Sequence, residues 1–173
     1  MTDYLRLPIG DHAPARVNAV IEIPRDSVNK YEYDKALHVF KLDRTLFSPV
    51  HYPGDYGFVP CTLGQDGDPL DVLVLVEAPS FPGCVMEVRP IGVLQMIDQG
   101  KKDEKILAVA QSDPLYRQVE DSSQVPPHQL REIEHFFSIY KYLEDKRTEM
   151  AGWGNADAAR QIIVEGQKRW KQG

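Results

Sequence analysis

The chain has 173 residues, 42% of them apolar and 27% charged, which is the make-up of one soluble globular domain with a full core. Twenty-six acidic residues against twenty basic ones give a formal charge of −6, a balance that does not suggest the positive stripe of a duplex nucleic-acid binder. No apolar run of roughly 18 residues occurs and Met1–Gly10 lacks a signal-type apolar stretch, which argues against membrane spanning and secretion and for a cytoplasmic protein. Cys61 and Cys84, the only cysteines, have no metal-type spacing and read as reduced thiols.

In chain order, the first predicted element is a strand over Val17–Pro24. Val17, Ala19, Ile21 and Ile23 fall on one face, and Asn18, Val20 and Glu22 on the other. Further strands are predicted at Tyr31–Tyr33, Leu37–Leu42, Tyr56–Val59, Val72–Glu77, Val85–Asp98 and Lys105–Ala110. Thirteen prolines and twelve glycines punctuate them, as short strands joined by turns require. The last third changes period. After Pro126-Pro127, the helical spacing of Leu130, Ile133, Phe137 and Tyr140 predicts a helix over His128–Lys146. A second helix is predicted over Ala156–Trp170, with Asn155 as N-cap and Ile162, Ile163 and Gly166 on one stripe. Strands first and helices last predict an α+β fold, a barrel-like sheet with two main helices packed outside it.

The chemistry concentrates in Asp66-Gly67-Asp68-Pro69-Leu70-Asp71, three carboxylates in six positions directly before an apolar strand. A polar turn is the plain account, since aspartate at a turn bonds its own backbone. An EF-hand loop fails, because Leu70 and Asp71 stand where its fifth-position ligand and its sixth-position glycine belong. The remaining account is a site for hard cations such as Mg²⁺, Mn²⁺ or Ca²⁺, which prefer oxygen ligands. Other acids at strand ends join it. A hairpin across Gln99–Lys102 brings Asp98 and Asp103 to one end of the sheet, and Glu22 lies on an otherwise apolar strand.

Bases interleave with these acids. Asp103 and Lys105 point the same way along a strand, as do Lys30 and Glu32. Arg44 follows a strand, and Lys141 follows Tyr140 on the predicted helix. Each base alone also fits a solvated surface; together they fit a phosphate site. Tyr56 sits in His51-Tyr52-Pro53-Gly54-Asp55-Tyr56-Gly57-Phe58, where its hydroxyl can reach a ligand. The five histidines show no zinc-ligand spacing.

Six segments in order resemble the family I soluble inorganic pyrophosphatases of bacterial type. They are Val20-Ile21-Glu22-Ile23-Pro24, Lys30-Tyr31-Glu32-Tyr33-Asp34-Lys35, Tyr52-Pro53-Gly54-Asp55-Tyr56-Gly57, the Asp66–Val72 signature, Asp98…Asp103-x-Lys105, and His135-Phe136-Phe137 with Tyr140-Lys141. The resemblance spans about residues 17–165 and implies that residues 1–173 form one such domain. It implies a small OB-like closed β-barrel with flanking helices and Mg²⁺-dependent hydrolysis of pyrophosphate to two orthophosphates. Several ions per site are implied, with Mn²⁺ or another divalent ion as a substitute. By position, Asp66, Asp71 and Asp103 resemble the ligands of the tightest metal, and Asp71 would bridge to a second. Asp98 and Asp103 would hold a metal that arrives with substrate, and Glu22 would help hold another. Asp68 resembles the group that takes a proton from the attacking water. Lys30, Arg44, Tyr56, Lys105, Tyr140 and Lys141 resemble phosphate ligands.

The family also implies a homo-oligomer, hexameric in many members, with no nucleic-acid or membrane partner. Three positions depart from bacterial patterns: Gln99 in place of a frequent acid, Ala110 in place of proline, and Ile139 in place of an interface histidine of some hexamers. Two rival readings are a phosphohydrolase of nucleotides or phosphate esters and an OB-like oligonucleotide-binding module. The second wants aromatic platforms in a basic groove, whereas the dense segments here are acidic.

Overall fold

The apolar runs at residues 72–75 and 106–110 leave no polar face, so both must be covered on two sides. The computed structural model, which describes residues 1–173, shows how. Strands β1 (Val17–Ile23), β2 (Asn29–Asp34), β3 (Val39–Thr45), β4 (Asp55–Val59), β5 (Leu70–Leu75) and β6 (Val85–Asp98) come first. Strands β7 (Lys101–Lys102) and β8 (Lys105–Ala110) follow, then helix α1 (Pro127–Ile139), strand β9 (Thr148–Asn155) and helix α2 (Ala156–Gln172). Pairing runs β1–β4–β5–β8–β6, and β6 pairs back with β1, so five strands form a ring within a mixed seven-stranded sheet. All these pairs are antiparallel except β5–β8, which is parallel. Strands β2 and β3 form a separate two-stranded hairpin.

Alternation sorts the core into two layers. Leu73, Leu75, Leu107 and Val109 pack with Ile133, Phe136, Phe137 and Tyr140 of the α1 region. Val72, Val74, Ile106 and Ala108 pack with Ala159, Ile162 and Ile163 of α2. A smaller cluster of Val20, Tyr33 and Phe58, joined by Tyr4, Leu5 and Phe40, seats the hairpin on the ring. Two glycines allow close approach. A Cβ at Gly57 would lie 1.9 Å from the Val20 carbonyl oxygen, and one at Gly166 would lie 2.6 Å from Leu70 Cδ1. The second contact sets α2 directly against the residue before Asp71.

Four expectations change. β3 runs over Val39–Thr45 rather than Leu37–Leu42, so Arg44 lies inside the strand instead of after it. The helix begins at Pro127, whose fixed φ suits a first turn, but ends at Ile139 rather than Lys146. Tyr142–Glu144 forms a 3₁₀ turn and Asp145 turns left-handed at φ 58°, because the apolar period lapses there and Tyr142 and Leu143 face solvent. Strand β9 went unpredicted, since its Ala-Gly-Trp-Gly core has little strand propensity. It pairs with β6 alone. Ile23 leaves the face of Val17, Ala19 and Ile21 for the α1 layer, because the β1–β4 register shifts between Ile21 and Ile23.

Candidate active site

Parallel pairing of β5 with β8 places Asp71 opposite Lys105 at the start of both strands. The Lys105 side chain is only 5% exposed, and its Nζ lies 2.6 Å from Asp71 Oδ2 and 2.8 Å from Asp103 Oδ1. The same ammonium lies 5.5 Å from the Tyr56 ring centre and 5.7 Å from that of Phe137. Burial works against its charge, yet Asp71, Tyr56 and Asp103 outweigh burial and push its pKa well above the usual lysine range. Asp103 moves up as well, because burial outweighs the pull of Lys105. Burial likewise pushes the Tyr56 phenol well above its ordinary value, which keeps it a neutral donor.

Around this pair lies a cavity of about 360 Å³. Glu22, Asp66, Asp68, Asp71, Asp98 and Asp103 all line it, with Lys30, Tyr56, Lys105, Tyr140 and Lys141. Among predicted site residues only Arg44 stands outside the lining. Its guanidinium is held by Asp43 and Glu144. The β6–β7 hairpin pairs Asp98 with Lys101 and returns the chain to Asp103, so the predicted juxtaposition of Asp98 and Asp103 at one end of the sheet is present. Asp98 pairs with Lys141, just beyond α1, while Asp98 Oδ1 is buried without a partner.

Glu22 Oε1 accepts a 2.7 Å hydrogen bond from the Tyr33 backbone N–H, tying the hairpin to β1. Burial drives the Glu22 pKa up to about 7; that hydrogen bond opposes the rise and Asp71 adds to it. The loop before β5 shows why its aspartates differ. Asp66 Oδ1 accepts from the Asp68 backbone N–H at 3.0 Å, the plain turn role. Asp68 projects outward, 70% exposed, with Lys35 Nζ 3.2 Å from its Oδ1.

No three carboxylate, imidazole or thiolate groups converge into a ready-made metal cage. Three contacts explain the departure from the expected Asp66, Asp71 and Asp103 triad: Lys105 draws Asp71 and Asp103 to itself, and Asp66 turns back on its own loop. The donor set nonetheless fits hard cations. The cavity carries seven carboxylates against four lysines, all oxygen ligands, and one carboxylate oxygen is buried and unpaired.

The sequence reading passed over three residues here. Lys35 sits in the hairpin turn, Asp43 lies 3.5 Å from Lys30 Nζ, and Glu144 lies a hundred positions from Arg44. Glu32, which the sequence places on the same strand face as Lys30, pairs with it. His51 pairs with Asp26 outside the cavity, and both cysteines are free thiols. No helix is long and apolar enough to cross a membrane.

Comparison with known proteins decides the family. The family model described as inorganic pyrophosphatase matches residues 19–171. The chain belongs to the inorganic pyrophosphatase family. An inorganic pyrophosphatase of Nostoc sp. is 50% identical over 169 residues, covering 98% of this chain and 99% of the relative. One of Methanosarcina acetivorans is 53% identical over 153 residues, 88% of this chain and 91% of the relative. The crystal structure of inorganic pyrophosphatase from Thermus thermophilus superposes with a TM-score of 0.96 at 44% identity, covering 98% of this chain and 99% of that one. This member of the inorganic pyrophosphatase family is therefore a hydrolase.

Proposed function

We propose that this cavity hydrolyses inorganic pyrophosphate to two orthophosphates by direct attack of water, with Mg²⁺ or a similar divalent ion bound. One observation carries the reading: a cavity with seven carboxylates and four lysines repels a multiply charged anion unless cations come with it. Asp66, Asp71, Asp98, Asp103 and Glu22 would hold those cations. When bound, they supply the positive charge that neutralises the electrophile and polarises the attacking water.

The side chains then divide the remaining work. Asp68, at the solvent side, accepts a proton as the water oxygen bonds to phosphorus. The bridging P–O bond breaks, and the leaving orthophosphate takes its electron pair. Lys105 spends two of its three N–H groups on Asp71 and Asp103, which leaves one for a phosphate oxygen. Lys30, Tyr56, Tyr140 and Lys141 present further donors from three other elements. Arg44, the cross-strand partner of Lys30 on the hairpin, would join them from outside the lining. Such donors stabilise charge that builds on the leaving group, so no covalent phosphoenzyme is needed.

The reading includes the OB-like barrel as the identity of the five-stranded ring, a homo-oligomer as in the family, and a cytoplasmic setting consistent with free thiols. Measuring phosphate release from pyrophosphate, ATP and a phosphomonoester under Mg²⁺ tests the substrate. Release confined to pyrophosphate supports the proposal. Comparable release from ATP would instead make this a broad phosphohydrolase.

A further inference from the structure

Arg44 is the one predicted phosphate ligand that meets two carboxylates of contrasting surroundings. Its Nη1 pairs with Asp43. Its other edge faces Glu144: Nη2 donates to Oε2 at 3.3 Å and Nε lies 2.9 Å from Oε1. The Nε contact is electrostatic, since that N–H is not aligned for a hydrogen bond. The Glu144 side chain is 7% exposed and Arg44 is its one ion-pair partner. The Asp43 side chain is 34% exposed and also lies 3.5 Å from Lys30 Nζ.

We propose that Glu144 is a positioning residue, a permanent anchor on the Nε–Nη2 edge of Arg44 that leaves the Nη1 end free to exchange Asp43 for a phosphate oxygen of the substrate. The asymmetry follows from desolvation. An enclosed carboxylate stripped of its cation stays uncompensated, which is strongly unfavourable. A third-exposed carboxylate returns to water at little cost. An arriving phosphate group therefore displaces Asp43 and not Glu144. A planar guanidinium suits this division, because one edge can be fixed while the other end binds.

The anchor also has a geometric consequence. Glu144 ends the short turn that follows Tyr140 and Lys141, and Arg44 belongs to β3 opposite Lys30. One ion pair thus holds the hairpin cations in register with the donors beyond α1. A lysine at position 44 has a single point charge and no second edge to fix.

The inference rests on the pyrophosphatase reading, and the test separates the two. Steady-state hydrolysis of pyrophosphate under Mg²⁺ is measured for wild type, Glu144→Gln, Glu144→Asp, Arg44→Lys and the double variant Glu144→Gln/Arg44→Lys. Glu144→Gln is expected to raise KM roughly ten-fold with a smaller change in kcat, within the coupling seen between contacting charged residues. Glu144→Asp is expected to recover part of that loss. In the Arg44→Lys background, Glu144→Gln is expected to add less than about two-fold. Wild-type KM in Glu144→Gln, or the same fold-loss in both backgrounds, would overturn the anchor while the pyrophosphatase reading stands. No phosphate release by wild type overturns both. Should Glu144→Gln not fold, Glu144→Asp carries the test: a smaller rise in KM supports the anchor, and equality with wild type overturns it.

Discussion

Lys105 and Lys35 line the same cavity from two different kinds of structure. Lys105 starts a central strand, is 5% exposed, and has carboxylates on two sides. Lys35 sits in the turn of a two-stranded hairpin, is 56% exposed, and reaches one exposed aspartate. The ring end fixes charges by burial, so its ion pairs are part of the fold. The hairpin turn holds a pair that water already competes for, so that pair opens at little cost. A site that must organise several anions and still release a product uses both.

Asp68 faces the hairpin from the ring, and its loss should have the largest effect. Asp68→Asn is expected to lower turnover roughly 10²–10⁴-fold, the range for a general base, while Mg²⁺ affinity stays close to that of wild type. Calorimetric Mg²⁺ titration with a phosphate-release assay checks both halves, and unchanged turnover would remove Asp68 from its role.

Lys105→Met then probes the buried side directly. Removing the ammonium leaves Asp71 and Asp103 facing one another, and stability in excess chelator should fall by about 3 kcal/mol. That is the low end for a buried pair, because the Asp71 side chain is 30% exposed. Urea unfolding measures it; a loss below about 1 kcal/mol would place the pair with the hairpin class.

Glu22 gives the pH signature of the same region. Its carboxyl is raised from 4.5 to about 7 in the folded protein. Between those values the folded state holds a proton that the unfolded state has lost, so stability falls as pH rises through this window. In chelator, Glu22→Gln should therefore be more stable than wild type by about 3 kcal/mol above pH 7 and equal to it near pH 4. Thermal melts at both pH values sharpen the comparison, and parallel curves would contradict the assigned burial. The smallest change is expected at Lys35→Ala. An exposed pair contributes about 0.2–1 kcal/mol, so unfolding should barely shift.

The sequence was most legible where burial dictates pattern. β6 and β8 run over the residues read from the sequence, Val85–Asp98 and Lys105–Ala110, and Asn155 caps α2 by accepting from the Ala158 N–H. The acids and bases of the ring end were readable because strand periodicity and hairpin closure bring them together locally. The partnership of Arg44 with Glu144 was not, because it joins β3 to a turn that helical periodicity had absorbed into α1. Nor did the sequence show that Lys105 would stand between Asp71 and Asp103, since that depends on a parallel pairing of strands separated by all of β6.

Phosphate release from pyrophosphate, followed in Mg²⁺ and again in excess EDTA, tests the central claim most directly. A cavity richer in carboxylates than in lysines should release phosphate in Mg²⁺ and return to the blank rate when the cation is chelated. Equal release under both conditions would contradict it, because the side chains alone would then be sufficient to bind and cleave the anion.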